Sequence, residues 1–221
     1  MKKTAIILGA SGLTGGELLQ KLIKDERYTS IKLFSRSKME GLPNEVTQYL
    51  GNLLDLNQFK AEFTADEVYC CIGTTKEKTP DKRLYKQIDC GIPTAAATLS
   101  KVNGITTFLV ISAMGANKNS TIFYNKTKGE MEQQVMAQTI EHTYILRPSL
   151  IGGERQERRL LENIGLVLFK GVQPLLIGPL KAYRIVTAET IAQAMLHLAN
   201  TKKYPEVVIP SDDIQNLGNN P

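Results

Sequence analysis

The stretch that decides the fold lies near the start of the chain and reads Thr4-Ala5-Ile6-Ile7-Leu8-Gly9-Ala10-Ser11-Gly12-Leu13-Thr14-Gly15-Gly16. Its first five residues form an apolar run as long as one buried strand, and an amphipathic helix pattern follows the glycines at once. A strand, a glycine-rich turn and a helix start together predict a dinucleotide-binding βα unit.

Each part of this turn has a role in holding a pyrophosphate. The first glycine allows the tight turn, the second lets the backbone approach the phosphates, and the third lets the helix pack close to the strand. The helix N-terminus adds free N–H groups and a partial positive charge. The predicted phosphate contacts are Gly9, Ser11, Gly12, Leu13, Thr14 and Gly15.

Length and composition predict one domain without a metal site. A chain of 221 residues, 42% of them hydrophobic, can bury a sizeable core, and no apolar run approaches the length of a membrane span. The three cysteines have neither disulfide nor metal-ligand spacing, and two histidines are too few for a His-based metal site. We expect a reduced, cytoplasmic protein that binds no metal and no membrane.

The net charge of +5 does not indicate a nucleic-acid partner. Acidic residues interleave with both basic groups, and aromatic residues do not alternate with them as on a stacking surface. A solvated face, or mild attraction for an anionic cofactor, accounts for the charge. The basic groups are Lys76, Lys78, Lys82, Arg83 and Lys86, and then Arg155, Arg158 and Arg159.

Strand and helix patterns alternate along the first two thirds of the chain, which predicts an α/β fold with a doubly wound parallel sheet. The predicted strands are Thr4–Leu8, Ile31–Ser35, Val46–Leu50, Glu67–Ile72, Thr106–Ile111 and His142–Leu146. Helices are predicted after the glycine turn, over Leu56–Phe63, from Asp81 to Val102 with a kink or restart at Pro93, and over Asn125–Gln138.

We assign residues 1–210 to this single domain and expect residues 152–185 to form an irregular substrate or interaction region. A helix over Arg158–Lys170 is predicted there, followed by a helix over Ala188–Ala199 and a strand at Val207–Ile209. The tail, residues 211–221, is polar and rich in Asn and Gly, so we expect it to fray.

The end of the second strand decides between the two nicotinamide cofactors. An acid there accepts a hydrogen bond from the ribose 2′-hydroxyl of NAD, whereas an arginine pairs with the 2′-phosphate of NADP. The chain has Ser35, Arg36 and Ser37 at this place, with the first acid at Glu40. This favours NADP over NAD, with the guanidinium of Arg36 on the phosphate.

Two further positions are candidates for cofactor contacts. Asp55 follows the third strand, where its side chain could reach the adenine edge, and an N-cap of the next helix is an equally good interpretation. Gly73 and Thr74 close the fourth strand at its carboxyl end, where ligands bind in parallel sheets.

Tyr124 and Lys128 are the candidate catalytic residues. Residues four apart lie on one face of a helix, so the ammonium of Lys128 is expected to lower the pKa of the Tyr124 phenol and to bind the nicotinamide ribose. The same spacing occurs at Tyr28 and Lys32, where no chemistry is expected. Ser112, at the end of the fifth strand, either polarises a substrate carbonyl or caps backbone groups.

The glycine motif Gly9-x-x-Gly12-x-x-Gly15, Ser112 and Tyr124-x-x-x-Lys128 together resemble the atypical short-chain dehydrogenase/reductases. More closely, the chain from Thr4 to Asn200 resembles the Tat-interacting oxidoreductase group, on Cys70-Cys71-Ile72-Gly73-Thr74-Thr75, on Lys128-Gly129-Glu130 and on Arg147-Pro148 followed by Arg155-Gln156-Glu157. The resemblance implies a Rossmann fold, NADP(H) binding and catalytic roles for Tyr124, Lys128 and Ser112. It also implies that Pro148, Ser149 and Leu150 lie against the nicotinamide.

The sequence departs from this family where Ser112 is followed by Ala113. If the family's hydroxyl falls at Ala113, then Ser112, Ser120 or Thr121 has to replace it. Two functions therefore stay open: an oxidoreductase acting on a small carbonyl or alcohol, and a non-catalytic NADP(H)-sensing regulator that binds a protein partner. The sequence leaves the oligomeric state open.

Overall fold

The computed structural model describes residues 2–152, 182–201 and 204–219. Most of the expected region 152–185, with the predicted helix Arg158–Lys170, lies outside these residues. The principal strands are β1 Lys3–Leu8, β2 Tyr28–Ser35, β3 Val46–Leu50, β4 Glu67–Cys70, β5 Thr107–Ile111 and β6 His142–Arg147. They are followed by the short β7 Ile151–Gly152, β8 Val186–Thr187 and β9 Val208–Pro210. The helices are α1 Leu13–Lys24, α2 Lys82–Lys86, α3 Ile92–Val102, α4 Phe123–Met136, α5 Ala188–Asn200 and α6 Ser211–Asn219.

Seven strands form one parallel sheet in the order β3-β2-β1-β4-β5-β6-β9, and β7 pairs with β8 separately. The strand order reverses between β1 and β4, and such a switch point leaves a crevice at the carboxyl ends of the strands. The predicted doubly wound parallel sheet is confirmed.

Both faces of the sheet are covered by helices, which explains why its strands read as nearly continuous apolar runs. Successive residues of β1 enter opposite cores, because side chains alternate along a strand. Ile7 packs in the core that contains residues of α1 and α5, whereas Ile6 packs in the core that contains residues of α3 and α4.

The helical run between β4 and β5 passes Pro93 without a break. Pro93 lacks an N–H and its ring would clash with the carbonyl of Asp89, four residues earlier, in an α-helix. The chain responds with a π-helical turn over Gln87–Gly91, in which the N–H of Ile92 donates to the carbonyl of Gln87. The predicted kink or restart is therefore a widened turn just before the proline.

Two predicted elements are shorter in the structure. β4 ends at Cys70 rather than at Ile72, and the helix predicted over Leu56–Phe63 is a 3-10 turn over Leu56–Phe59. Among the described helices, none combines the length and the hydropathy that a membrane crossing requires.

The prediction that the tail frays is wrong for residues 211–219, which form α6. Ile214 is fully buried and Leu217 packs against the same core, so the helix has an apolar face despite its polar composition. A Cβ on Gly218 would overlap the carbonyl oxygen of Thr190, which shows how closely α6 crosses α5. Residues 220–221 lie outside the described residues.

Replacing Ile214 by Ala is expected to lower the free energy of unfolding by about 2–5 kcal/mol, because a fully buried side chain leaves a cavity. Urea unfolding followed by circular dichroism measures the difference. Asn216→Ala, at an exposed position of the same helix, is the control and should change stability by less than about 0.5 kcal/mol. Equal effects of the two substitutions would contradict the packing of α6.

Candidate active site

The glycine turn after β1 is shaped by close backbone contacts. Gly9 has φ +88°, a conformation that favours glycine, and a Cβ there would lie 2.8 Å from the carbonyl oxygen of Cys71. The N–H of Gly12 donates to the carbonyl of Gly9 at 2.9 Å. A Cβ on Gly15 would overlap that same carbonyl oxygen, so the third glycine lets α1 pack onto the turn.

The N-terminus of α1 is free for an anion. Its N-cap residue is Gly12, which has no side chain to cap the first turn, and the first turn contains no acid. Ser11 and Leu13 are exposed beside it, whereas Thr14 is buried under the turn. Unpaired N–H groups and the helix dipole both favour a phosphate at this place, so these residues fit a dinucleotide.

The residues after β2 form a tight, exposed turn. Ser35 is buried and donates its hydroxyl to the carbonyl of Ser37 at 2.9 Å, so it shapes the turn. Arg36 and Ser37 are exposed, and the next cation, Lys38, pairs with Glu40 at 3.1 Å. The guanidinium of Arg36 is therefore presented to solvent at the carboxyl end of β2.

Asp55 is exposed immediately before the 3-10 turn Leu56–Phe59. It occupies the N-cap position, but its side chain makes no capping hydrogen bond. Of the two interpretations that the sequence left open, the structure does not support the capping role.

Lys128 is buried in the centre of the site. Its side chain is 4% exposed, and its Nζ lies 3.1 Å from Oδ1 of Asp89 and donates to the carbonyl of Ile111 at 3.3 Å. Tyr124, one turn earlier on α4, is 40% exposed. The structure thus brings a buried ammonium and a solvent-accessible phenol to the end of β5, as the spacing predicts.

Asp89 links this pair to the turn after β4. Its other oxygen, Oδ2, accepts the backbone N–H of Thr74 at 2.7 Å, and its side chain is 1% exposed. The Thr74 carbonyl accepts the hydroxyl of Tyr85 at 3.1 Å, and the Thr74 hydroxyl pairs with that of Thr79 at 2.8 Å. Gly73 is exposed beside these contacts.

The electrostatics of Tyr124 differ from the sequence-based expectation. Partial withdrawal of its hydroxyl from water raises the pKa of Tyr124, Lys128 lowers it, Asp89 raises it, and the net direction is upward. Burial lowers the pKa of Lys128, but Asp89 outweighs burial and the net direction is again upward. The expected net fall in the pKa of Tyr124 is wrong for this structure, because withdrawal from water outweighs the charge of Lys128 and Asp89 adds to the rise.

Ser112 belongs to a buried network with Glu132 and Arg147. Its hydroxyl donates to Oε1 of Glu132 at 2.5 Å, and Ser112 is 3% exposed. Arg147 binds the same carboxylate through Nε at 2.8 Å and through a terminal nitrogen at 2.5 Å. The proton of Ser112 is therefore directed at Glu132, two turns beyond Tyr124 on α4, rather than at a substrate position.

The segment after β6 is tied to neighbouring backbone. The carbonyl of Pro148 accepts the N–H of Met114 at 2.9 Å, and the N–H of Ser149 donates to the hydroxyl of Ser211 at 3.2 Å. The hydroxyl of Ser149 donates to the carbonyl of Arg184, and Leu150 is 56% exposed.

Sequence reasoning missed Asp89 and Glu132. The one local signal for Asp89 is its position four residues before Pro93, where the helix has to widen. Glu132 lies on the same helix face as Lys128, four residues later, but nothing local pairs it with Arg147. Within the residues that the structure describes, no group of three or more His, Cys, Asp or Glu side chains could hold a metal ion.

A profile of the NAD(P)H-binding family matches residues 9–171, a span that runs from the glycine turn past Tyr124 and Lys128. The chain belongs to the NAD(P)H-binding family. It is similar to the FMP52 protein of Debaryomyces hansenii, with 31% identity over 206 residues that cover 89% of this chain and 88% of the relative. It is also similar to HTATIP2 of Rattus norvegicus, with 31% identity over 161 residues that cover 71% of this chain and 66% of the relative.

Solved structures share the fold of this NAD(P)H-binding protein. The chain matches ElxO with NADP bound at a TM-score of 0.72 and 14% identity, over 97% of this chain and 99% of ElxO. It matches the UDP-glucuronic acid 4-epimerase of Bacillus cereus in complex with NAD at a TM-score of 0.67 and 16% identity, over 93% and 76% of the two chains. The predicted Rossmann fold and the resemblance to the atypical short-chain dehydrogenase/reductases of the Tat-interacting group are confirmed.

The cytoplasmic prediction is contradicted. The FMP52 relatives, among them those of Candida glabrata and Debaryomyces hansenii, are named as mitochondrial proteins and point to that compartment. The prediction rested on composition and on the shortness of the first apolar run, and neither property distinguishes these two compartments.

Replacing Arg147 by Met is expected to lower the free energy of unfolding by about 2–4 kcal/mol, because it leaves the buried carboxylate of Glu132 without its cation. Arg147 is one third exposed, so water offsets part of the loss. Thermal and urea unfolding measure the change. Arg83→Met, at an exposed position of α2, is the control, and a loss no larger than its own would contradict a structural role for the network.

Proposed function

We propose that this protein is an NADP(H)-dependent oxidoreductase that interconverts a carbonyl and an alcohol, with Tyr124 as the proton donor or acceptor. The observation that carries the proposal is the Asp89–Lys128 pair on one side of Tyr124. The pair lies at the carboxyl ends of the parallel strands, where the glycine turn also lies. The chain's membership of the NAD(P)H-binding family and the fold that it shares with nicotinamide-bound structures support the general oxidoreductase role.

The residues at the carboxyl ends of β1 and β2 would hold the cofactor. The turn Gly9–Gly15 would receive the pyrophosphate, and Arg36 would pair with a 2′-phosphate through its planar fork. Asp55 is proposed for the adenine edge, and Gly73 and Thr74 for the middle of the cofactor. Ser149 and Leu150, after Pro148, would face the nicotinamide ring. When bound, reduced nicotinamide would supply the hydride that a carbonyl gains, and oxidised nicotinamide would accept the hydride that an alcohol loses.

Tyr124 performs the proton transfer in this proposal. Its pKa lies above the ordinary value for tyrosine, so it stands protonated at neutral pH and is suited to donate to a carbonyl oxygen. Lys128 supplies a positive charge next to the phenolate that forms when the proton leaves, and a hydrogen-bond donor for ribose hydroxyls.

The candidates for the hydroxyl that assists Tyr124 are Ser112, Ser120 and Thr121. Ser112 would have to exchange Glu132 for the substrate in order to polarise a carbonyl. Ser120 accepts the N–H of Ile122 at 3.1 Å and so keeps its own O–H for donation. We propose Ser112 as a residue that supports α4 through Glu132, and Ser120 as the second donor.

Exchanging Arg36 for Ala is expected to weaken NADPH binding by about 10- to 100-fold, because a charged hydrogen bond contributes about 1.5–3 kcal/mol. NADH has no 2′-phosphate, so its affinity should change little. Fluorescence titration with the two cofactors measures the ratio. Lys24→Ala, which removes a cation near the amino ends of the strands, is the control. A parallel loss for both cofactors would rule out the phosphate contact.

Tyr124→Phe is expected to lower turnover of a carbonyl substrate at least about 100-fold while NADPH binding stays near the wild-type value, because the phenylalanine keeps the ring and loses the proton. A panel of small aldehydes and ketones, with NADPH absorbance as the readout, identifies the substrate first. Retained turnover in the variant would contradict the proposal. Tight NADPH binding without turnover on any carbonyl would instead support the regulator that binds a protein partner.

A further inference from the structure

The π-helical turn Gln87–Gly91 places an acid inside the proposed active site. A regular α-helix is excluded here by Pro93, and the widened turn directs Asp89 inward until its side chain is 1% exposed. π-helical turns inside α-helices occur frequently at functional sites. The residue that requires this turn is Pro93, which lies four residues after Asp89.

Both oxygens of Asp89 are used, and they contact two different elements. Oδ1 lies 3.1 Å from Nζ of Lys128 on α4, and Oδ2 accepts the N–H of Thr74 at 2.7 Å. Lys128 also donates to the carbonyl of Ile111 at the end of β5. One carboxylate thus connects the turn after β4 to the lysine that stands next to Tyr124.

A gain in stability does not explain why the Asp89–Lys128 pair is buried. Removing two charges from water costs about as much as their attraction returns, so a buried ion pair is weak evidence for stabilisation. A buried lysine without a partner tends to lose its proton, and Asp89 prevents this for Lys128. Lys128 lowers the pKa of the Tyr124 phenol, and the adjacent carboxylate of Asp89 opposes this effect.

The ionisable groups around Tyr124 come from several elements. Lys128 lies on its own helix, and Asp89 and Tyr85 approach from the helical run between β4 and β5. Cys70, at the end of β4, interacts with Lys128 and with Asp89. Tyr85 and Cys70 both have pKa values raised by burial, so at neutral pH they are uncharged and the balance at Tyr124 is between Asp89 and Lys128.

We propose that Asp89 is a positioning residue of the reaction, which holds the Lys128 ammonium against the turn after β4 and limits the effect of that charge on the Tyr124 phenol. The inference rests on the proposed function of Tyr124 and Lys128, and it deepens that function. A change of charge at Asp89 acts on the phenol through space and through Lys128.

The experiment is a spectrophotometric titration of tyrosinate in the whole protein. Each protein is titrated with and without Tyr124→Phe, and the difference isolates Tyr124 from the other tyrosines. Asp89→Asn keeps the size of the side chain and an acceptor for the Thr74 N–H but removes the charge. We expect the pKa of Tyr124 to fall by about one pH unit or more in Asp89→Asn and to rise in Lys128→Met.

Controls separate this effect from a structural one. Glu26→Gln, an exposed carboxylate at the opposite edge of the sheet, should leave the titration of Tyr124 unchanged. Far-ultraviolet circular dichroism shows whether each variant folds. If Asp89→Asn does not fold, the double variant Asp89→Asn/Lys128→Met is compared with Lys128→Met. These two proteins differ by the same charge, so the same fall in pKa is expected.

A pKa of Tyr124 that is the same with aspartate and asparagine at position 89, or higher with asparagine, would overturn the inference. The alkaline limb of the pH profile for carbonyl reduction is the second readout, and it should move to lower pH in Asp89→Asn. The titration needs no turnover, so the positioning role of Asp89 and the catalytic role of Tyr124 can fail separately.

Discussion

Three backbone segments meet at Gly9, and the rest of the site takes its position from that contact. The space that a Cβ of Gly15 would need is filled by the Gly9 carbonyl, and a Cβ of Gly9 would approach the carbonyl of Cys71. The end of β1, the start of α1 and the end of β4 are therefore fixed relative to one another. From Cys71 the chain reaches Thr74 within three residues, and Thr74 holds Asp89, which holds Lys128.

Two ion pairs, each with a buried carboxylate, fix α4 against the π-helical turn and against the end of β6. Lys128 pairs with Asp89 on one side, and Glu132, one turn later, pairs with Arg147 at the end of β6. The acid of one pair and the base of the other lie on the same helix, so any rotation of α4 would separate both pairs at once. Leaving either charge unpaired in the interior is costly, and this cost selects one orientation of the helix. The position of Tyr124 follows from that orientation.

The parts of this protein that follow from local patterns could be predicted from the sequence, and those that depend on distant partners could not. The apolar runs predicted the strands, and the alternation of strands with helices predicted that the sheet is parallel. The tail was mispredicted because its composition is polar, although Ile214 and Leu217 pack against the core that contains α5. Asp89 was missed because its partner, Lys128, lies in another helix, and the same holds for Ser112 and Glu132, which are 20 residues apart.

The last helix, α6, supports the segment that follows β6. Ser211, the first residue of α6, accepts the N–H of Ser149 across 62 residues of sequence. This hydrogen bond attaches the segment that follows β6 to α6. The close crossing with α5 holds α6 in place in turn. Any event that detaches this helix, whether proteolysis or a bulky fusion, is expected to displace Ser149 and Leu150, the segment proposed to face the nicotinamide ring, from a distance.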